Sequence, residues 1–399
     1  MSLTSAEPSP VRLPWAVYSS DCHVIEPPDL WTSRVDRRFR DRAPRVVRYE
    51  DTELWVVDDE KRLAVVGIQA QAGRRFENPS GITKRGFYSD IPELTPERYL
   101  QGLDVDGVRG AVMFSSNAHQ AFRVVKGDLL AVIARVFNDW ILEYCAHAPE
   151  RLKAVTMIDI DDIDAGIAEM ERTVAGGAAS VMLPILPLPG RRYDQPQYER
   201  LWAAAAALKV PISFHVGANQ AVIDREPLID LVRHGMKDLH IQATVATLIL
   251  SGVFTRHPTL RVGVIEFEGG WAPYLLEQMD RVVRAGSAAQ HFKNGELPSD
   301  HFRRNVFVSF QDDAAFVRLR EHVGVDNLGW GSDYARGVDV PTLARDPGRG
   351  AAGRAGGARG EDRRREHRAA FRLLASRSSS RACASPLRPA VLPADRGAP

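Results

Sequence analysis

The sequence is short of several things, and each shortage removes a class of protein. Its 399 residues hold three cysteines, Cys22, Cys145 and Cys383. They are too few and too far apart for a disulfide framework, which points to a reducing compartment. No apolar run is long enough to span a bilayer. Met1 to Pro14 carries neither a basic stretch nor an apolar one, so no secretory signal is expected and the expected setting is cytoplasmic. The formal net charge is only +1, which gives no ground for nucleic acid or an anionic membrane as a partner. No Gly-rich loop of the dinucleotide or P-loop kind follows an early strand. What is present is an ordinary globular composition, 44% hydrophobic and 26% charged, in a chain long enough for one large α/β domain or two smaller ones.

Val17 opens a β-branched and aromatic run that leads to Asp21-Cys22-His23 and then the turn at Pro27-Pro28. Residues 36–95 form an insertion: Leu54 to Val57 and Leu63 to Val66 are expected to pair as a hairpin, with Gly73 to Pro92 a long surface loop. Thr95 and Pro96 then read as the N-cap and first residue of a helix. From there strands and helices alternate. Strands are expected at Val108–Ser115, Lys153–Asp159, Ala179–Ile185, Val210–His215, Arg261–Glu266, Val306–Phe310 and Leu328–Asp333. Helices are expected at Asp128–His147, Ile163–Ala175, Gln197–Leu208, Leu239–Thr255, Trp271–Arg284 and Ala314–His322. Short apolar strands alternating with helices indicate a parallel sheet, and eight of them favour a closed (β/α)8 TIM barrel over an open doubly wound sheet.

In such a barrel reactive groups sit where strands end. Asp21 and His23, two apart on a strand, are expected to share a face while Cys22 turns away. The fifth barrel strand ends in His215, the sixth in Glu266 and the eighth in Asp333. Taken singly, a strand-end Asp is usually a helix cap and a strand-end His a satisfied polar group. Four strands bringing such residues to one mouth point instead to a divalent metal, and an imidazole–carboxylate set suits Zn²⁺, Mn²⁺ or a similar ion. Asp333 is a candidate ligand and base, Glu266 a candidate acid or base, and His240 a third candidate in the loop or first turn after the fifth strand. Against these stand plainer roles: His240 as a helix cap, Glu266 as the partner of an Arg. His257 reads as a helix-end residue. His119, His147, His234, His291, His301 and His322 are read as lying in loops or on exposed helix faces. Asn219, Arg225 and the aromatics of the 73–92 loop are candidates to shape a pocket.

The stretches DCHVIEPPDLW, FHVG, LILSGVFTRHPTLRVGVIEFEGGWAPYLLEQMD and GWGSDY together resemble the amidohydrolase-related family, of the metal-dependent, aminocarboxymuconate-semialdehyde decarboxylase-like kind. The resemblance covers Val17 to Tyr334. It implies a metal-dependent homo-oligomeric TIM barrel that decarboxylates a small aromatic or unsaturated carboxylic acid, or hydrolyses a C–C, ester or lactone bond. Carried over, its metal ligands fall on Asp21, His23, His215 and Asp333. Two departures stand out. The first ligand is Asp where the family has His or Glu, which makes Glu26 a rival to Asp21. Glu266 stands where some decarboxylases have a catalytic His.

The resemblance stops after Tyr334. From Arg336 onward there are fourteen Arg, no Lys and six Asp or Glu, a balance of +8 that leaves about −7 for the rest. The expected organisation is a tail at 1–16, a barrel at 17–335 and an Arg/Gly/Ala-rich tail at 336–399. Back-translating Val338–Pro347 and reading one base later permits Ser-Thr-Phe-Pro-His-Ser-Arg-x-Ile-Leu. The same shift on Glu361–Arg372 permits Lys-Ile-Val-Gly-Glu-Asn-Thr-Ala-Arg-Leu-Phe-Gly. Both resemble the family's own closing loop and last helix, so a frameshift near Arg336 is one expectation, with an inactive product as its consequence. A natural divergent tail is the other.

Overall fold

The computed structural model of the chain describes residues 16–49, 52–66, 87–91, 93–188, 190–219 and 235–334. Most of the 1–16 tail, most of the Gly73–Pro92 loop, Arg225, His234 and the whole 336–399 tail lie outside the described residues.

Eight parallel strands form one sheet in the order of the chain: β1 (Val17–His23), β5 (Val108–Phe114), β6 (Leu152–Met157), β7 (Ser180–Leu183), β8 (Ile212–His215), β9 (Val262–Ile265), β10 (Val306–Phe310) and β11 (Leu328–Trp330). β7, β8 and β9 are buried along their whole length, as expected of strands covered by helices on one side and by other strands across a barrel on the other. The sheet closes on itself just past β11. Asp333 donates its N–H to the carbonyl of Asp21 at 2.9 Å, and His23 donates to the carbonyl of Tyr334 at 2.6 Å. The last strand of the expected barrel therefore ends at Trp330, and its final residues serve as the seam.

The helices follow from local chemistry. Thr95 caps the helix Pro96–Val105 by accepting the N–H of Arg98, with proline at its first position. Asp162 caps Ile163–Ala175 through the N–H groups of Asp164 and Ala165. The single helix expected over Leu239–Thr255 is two, Leu239–Leu250 and Val253–Arg256, because Gly252 takes φ 77° between them.

The insertion is a three-stranded antiparallel sheet, β2 (Arg45–Arg48), β3 (Glu53–Val57) and β4 (Lys61–Val65), ordered β2-β3-β4. The expected hairpin supplies β3 and β4. This sheet is fastened to the barrel by aromatic packing: the fully buried Trp55 on β3 meets Trp31 edge to face, ring centroids 5.3 Å apart. Trp31 in turn donates its indole N–H to the carbonyl of Ile133 at 3.1 Å. Such a pair contributes about 0.5–1.5 kcal/mol beyond its buried area.

Candidate metal centre

The end of β1 is built with an irregularity. Ser19 is paired with Ala111 and Cys22 with Met113, so β1 places three steps against two on β5. A bulge of this kind re-aims side chains at the rim of a barrel, and it falls on Ser20 and Asp21. Gly331, on the other flank, lets the chain after β11 pass close by: a Cβ there would come within 2.5 Å of the Asp21 Cβ.

Asp21, His23, His215 and Glu266 each present one ligand-type atom, all within 4.8 Å of one another. Asp333 is not one of those four but lies beside them, its Oδ1 3.1 Å from His23 Nε2. His215 Nε2 lies 3.4 Å from Asp21 Oδ1 and 3.6 Å from Glu266 Oε2, and His23 Nε2 lies 3.6 Å from Asp21 Oδ1.

The two imidazoles are oriented by backbone. His23 Nδ1 is 2.8 Å from the carbonyl of Ser115, and His215 Nδ1 is 2.8 Å from the carbonyl of Val216. A carbonyl can only accept, so each ring carries a proton on Nδ1 and turns its Nε2 inward. Those nitrogens face carboxylate oxygens, an arrangement that favours positive charge between them, which a bound cation supplies. Asp21 Oδ2 and His23 Nε2 are buried with no hydrogen-bond partner among the described residues. Ligand atoms 3–3.6 Å apart are what bonds of about 2.0–2.2 Å to one ion would give. The donor set fits a divalent cation.

Exposure divides the group. The side chains of Asp21, His23 and His215 are completely buried, whereas those of Glu266 and Asp333 are 16% and 12% exposed. Glu266 and Asp333 also hold left-handed backbone, φ 68° and 52°, a conformation that costs a non-glycine residue about 1–3 kcal/mol and tends to persist where function requires it.

Several sequence expectations change here. Glu26 is not a rival ligand, because its carboxylate accepts the N–H groups of Ser116, Asn117 and Ala118 and the side-chain amide of Asn117. Burial pushes its carboxyl up, and those hydrogen bonds pull it back. Glu266 stands inside the ligand group, beside His215. His240, half-buried in the first turn of Leu239–Leu250, is outside it. His119 and His301, expected in loops or on exposed helix faces, are buried. His301 packs among Glu296, Arg304 and Phe292. His119 belongs to the site's wall: its ring lies 5.5 Å from that of His215, and its Nδ1 is held by Ser115. Gly217, φ 85°, leaves it room, since a Cβ there would come within 3.0 Å of His119 Nε2. The run Ser115-Ser116-Asn117 after β5 was the available signal for a strand-end turn, but nothing local marks His119 as facing the centre. Cys22 packs away from the cluster against Ser332, and burial pushes its thiol up to about 11, which leaves it no nucleophile.

Residues 90–355 match the sequence model of a family described as amidohydrolase. The chain is 26% identical over 250 residues to the γ-resorcylate decarboxylase of Rhizobium radiobacter, covering 59% of this chain and 75% of that protein. It is 25% identical over 258 residues to the enzyme of the same name from Rhodococcus jostii, covering 58% and 78%. Among solved structures it resembles an amidohydrolase from Mycobacterium avium subsp. paratuberculosis at TM-score 0.64 and 22% identity, covering 91% of this chain and 98% of that one. It also resembles a 5-carboxyvanillate decarboxylase from Novosphingobium aromaticivorans with bound manganese, at TM-score 0.53 and 18% identity, covering 67% and 77%. These structural likenesses concern the fold.

Proposed function

The chain belongs to the amidohydrolase family, and from that premise we propose that it is a metal-dependent carboxy-lyase, releasing carbon dioxide from a small aromatic carboxylic acid without oxidation. The observation that carries the reading is the division of the cluster: two inward Nε2 atoms and a fully buried carboxylate form a floor, and two partly accessible carboxylates stand over it. The relatives that are decarboxylases of aromatic acids supply the reaction class.

In this reading Asp21, His23, His215 and Asp333 hold Mn²⁺ or Zn²⁺, with Glu266 close enough to complete the set. The ion, when bound, polarises a substrate carboxylate or phenolate oxygen, or acidifies a water. The protein's own groups do the rest. Glu266 and Asp333, the two carboxylates a substrate can reach, move the proton: decarboxylation breaks the ring–carboxylate bond, carbon dioxide leaves, and a proton takes its place on the ring carbon. His240 lies outside the cluster and is given no step. The strained backbone at both carboxylates holds them in place before substrate arrives. A homo-oligomer, supported by the family resemblance, and a cytoplasmic setting, supported by three scattered cysteines, remain part of the proposal.

A hydrolase of the same fold is the second reading, favoured by Glu266, a carboxylate that could activate water beside the ion. Metal content of the purified chain, followed by carbon dioxide release from a panel of hydroxybenzoates, separates the two. Stoichiometric metal with carbon dioxide release that E266Q and D333N lower at least a hundredfold supports the lyase. Metal with ester or lactone cleavage alone supports the hydrolase. A folded chain that takes up no divalent metal refutes both and leaves the inactive product of a shifted reading frame.

A further inference from the structure

Glu26 is completely buried, bears a carboxylate and touches no group of the metal cluster, so the reaction as derived gives it nothing to do. Its surroundings are unusually complete. Oε1 accepts three successive backbone N–H groups, from Ser116 at 3.1 Å, Asn117 at 2.9 Å and Ala118 at 3.1 Å, and Oε2 accepts the Asn117 side-chain amide at 2.8 Å. Successive N–H groups converging on one oxygen form an anion nest. The residue's own carbonyl is taken by the hydroxyl of Tyr88, which ties this point to the segment that also donates its backbone N–H to Glu53 of β3 at 2.6 Å.

The Ser116 N–H gripped by Glu26 and the Ser115 carbonyl gripped by His23 Nδ1 belong to the same peptide group. A peptide unit is planar, and in the trans form its N–H and C=O point in opposite directions. Glu26 therefore holds one end of a rigid plate whose other end orients a metal-facing imidazole. A carboxylate on the N–H side also polarises the carbonyl, strengthens it as an acceptor and makes the imidazole a better donor to a cation.

We propose that Glu26 is a positioning residue for the metal centre, acting on His23 through the Ser115–Ser116 peptide. The proposal rests on the reading of the cluster as a divalent-metal site. It deepens that reading by assigning affinity to a carboxylate that is not a ligand. Outer partners of a ligating histidine typically govern metal affinity by 10- to 100-fold.

The test is Mn²⁺ affinity of the metal-stripped full chain in chelator-buffered titrations, with near-UV circular dichroism as the check on folding. E26Q keeps the shape but turns an amide N–H₂ towards the donors of the nest, and a roughly 10- to 100-fold weaker Kd is expected. E26D keeps the charge on a shorter arm and should fall between wild type and E26Q. Adding N117D to E26Q lets a carboxylate at 117 accept from the new amide, and should recover at least a tenfold part of the loss. Folded E26Q and E26D proteins that bind Mn²⁺ as tightly as wild type would overturn the proposal, as would folded E26Q/N117D with no recovery. Should E26Q not fold, E26D decides alone. Wild-type protein that binds no Mn²⁺ removes the metal reading itself, a result distinct from a mutant that binds normally.

Discussion

Replacing Asp21 by Asn should change the protein's stability in opposite directions with and without metal. The inward Nε2 atoms of His23 and His215 face the Asp21 carboxylate at 3.6 and 3.4 Å. Asp21 Oδ2 meanwhile has no hydrogen-bond partner among the described residues and no access to solvent. A buried polar group left in that condition costs about 1–3 kcal/mol. An Asn in its place carries no charge and can donate its amide N–H to His215 Nε2. In the presence of a chelator, D21N should relieve about 1–2 kcal/mol of that cost and melt about 2–4 °C above wild type, taking about 2 °C per kcal/mol for a domain of this size. With Mn²⁺ at a thousandfold its Kd, binding stabilises wild type by about 4 kcal/mol, or about 8 °C. A hundredfold loss of affinity in D21N would leave only about 1.4 kcal/mol of that. The order of the two melting curves should reverse between chelator and Mn²⁺, which differential scanning calorimetry reads directly. D21N melting below wild type by the same amount in both conditions would show that Asp21 is an ordinary structural residue.

Other perturbations follow from the same geometry. G331A would drive a Cβ to within 2.5 Å of the Asp21 Cβ, so a loss of about 1–3 kcal/mol from overpacking should accompany weaker metal uptake, measured by denaturant titration and elemental analysis. W55A removes the ring that packs on Trp31 and should lower stability by about 3–5 kcal/mol in the same titration. Burial pushes the Asp159 carboxyl up to about 6. The folded chain then holds a proton that the unfolded chain has released, and this group's contribution falls as pH rises from about 4 to 6. D159N should flatten that part of a stability-against-pH curve. The codons of Val338–Pro347 and Glu361–Arg372 test the shifted frame: codons that forbid the two alternative readings end it.

The barrel was legible because its eight strands are short and apolar and alternate with helices whose caps, Thr95 and Asp162, sit where the rules put them. Asp21, His23, His215, Glu266 and Asp333 were legible for the same reason, since they stand at or just past strand ends. Positions fixed by tertiary contact were not. The bulge at Ser20 and Asp21 depends on pairing with β5, and no single-strand pattern encodes it. The ring of His119 is turned towards the centre by the short turn after β5. Glu26 stood as a rival ligand because Asp21 takes the place of the family's His or Glu, and only the fold shows its carboxylate spent on the 116–118 backbone. His240 stands in the first turn of Leu239–Leu250 and is not among the grouped ligand atoms. The strand Arg45–Arg48 was hidden by an arginine at each end of two valines.

The seam of the barrel joins residues near the start of the chain to residues more than three hundred positions later, and the candidate ligands Asp21, His23 and Asp333 lie on both sides of it. During synthesis Asp21 and His23 emerge early and wait for Asp333, the last of the set to leave the ribosome. Until then the sheet is an open curl in which β1 is paired with β5 on one edge only, and such an open edge is prone to wrong association. The centre cannot be completed until Asp333 has emerged, and any premature stop before Asp333 removes both the seam and that carboxylate in a single step.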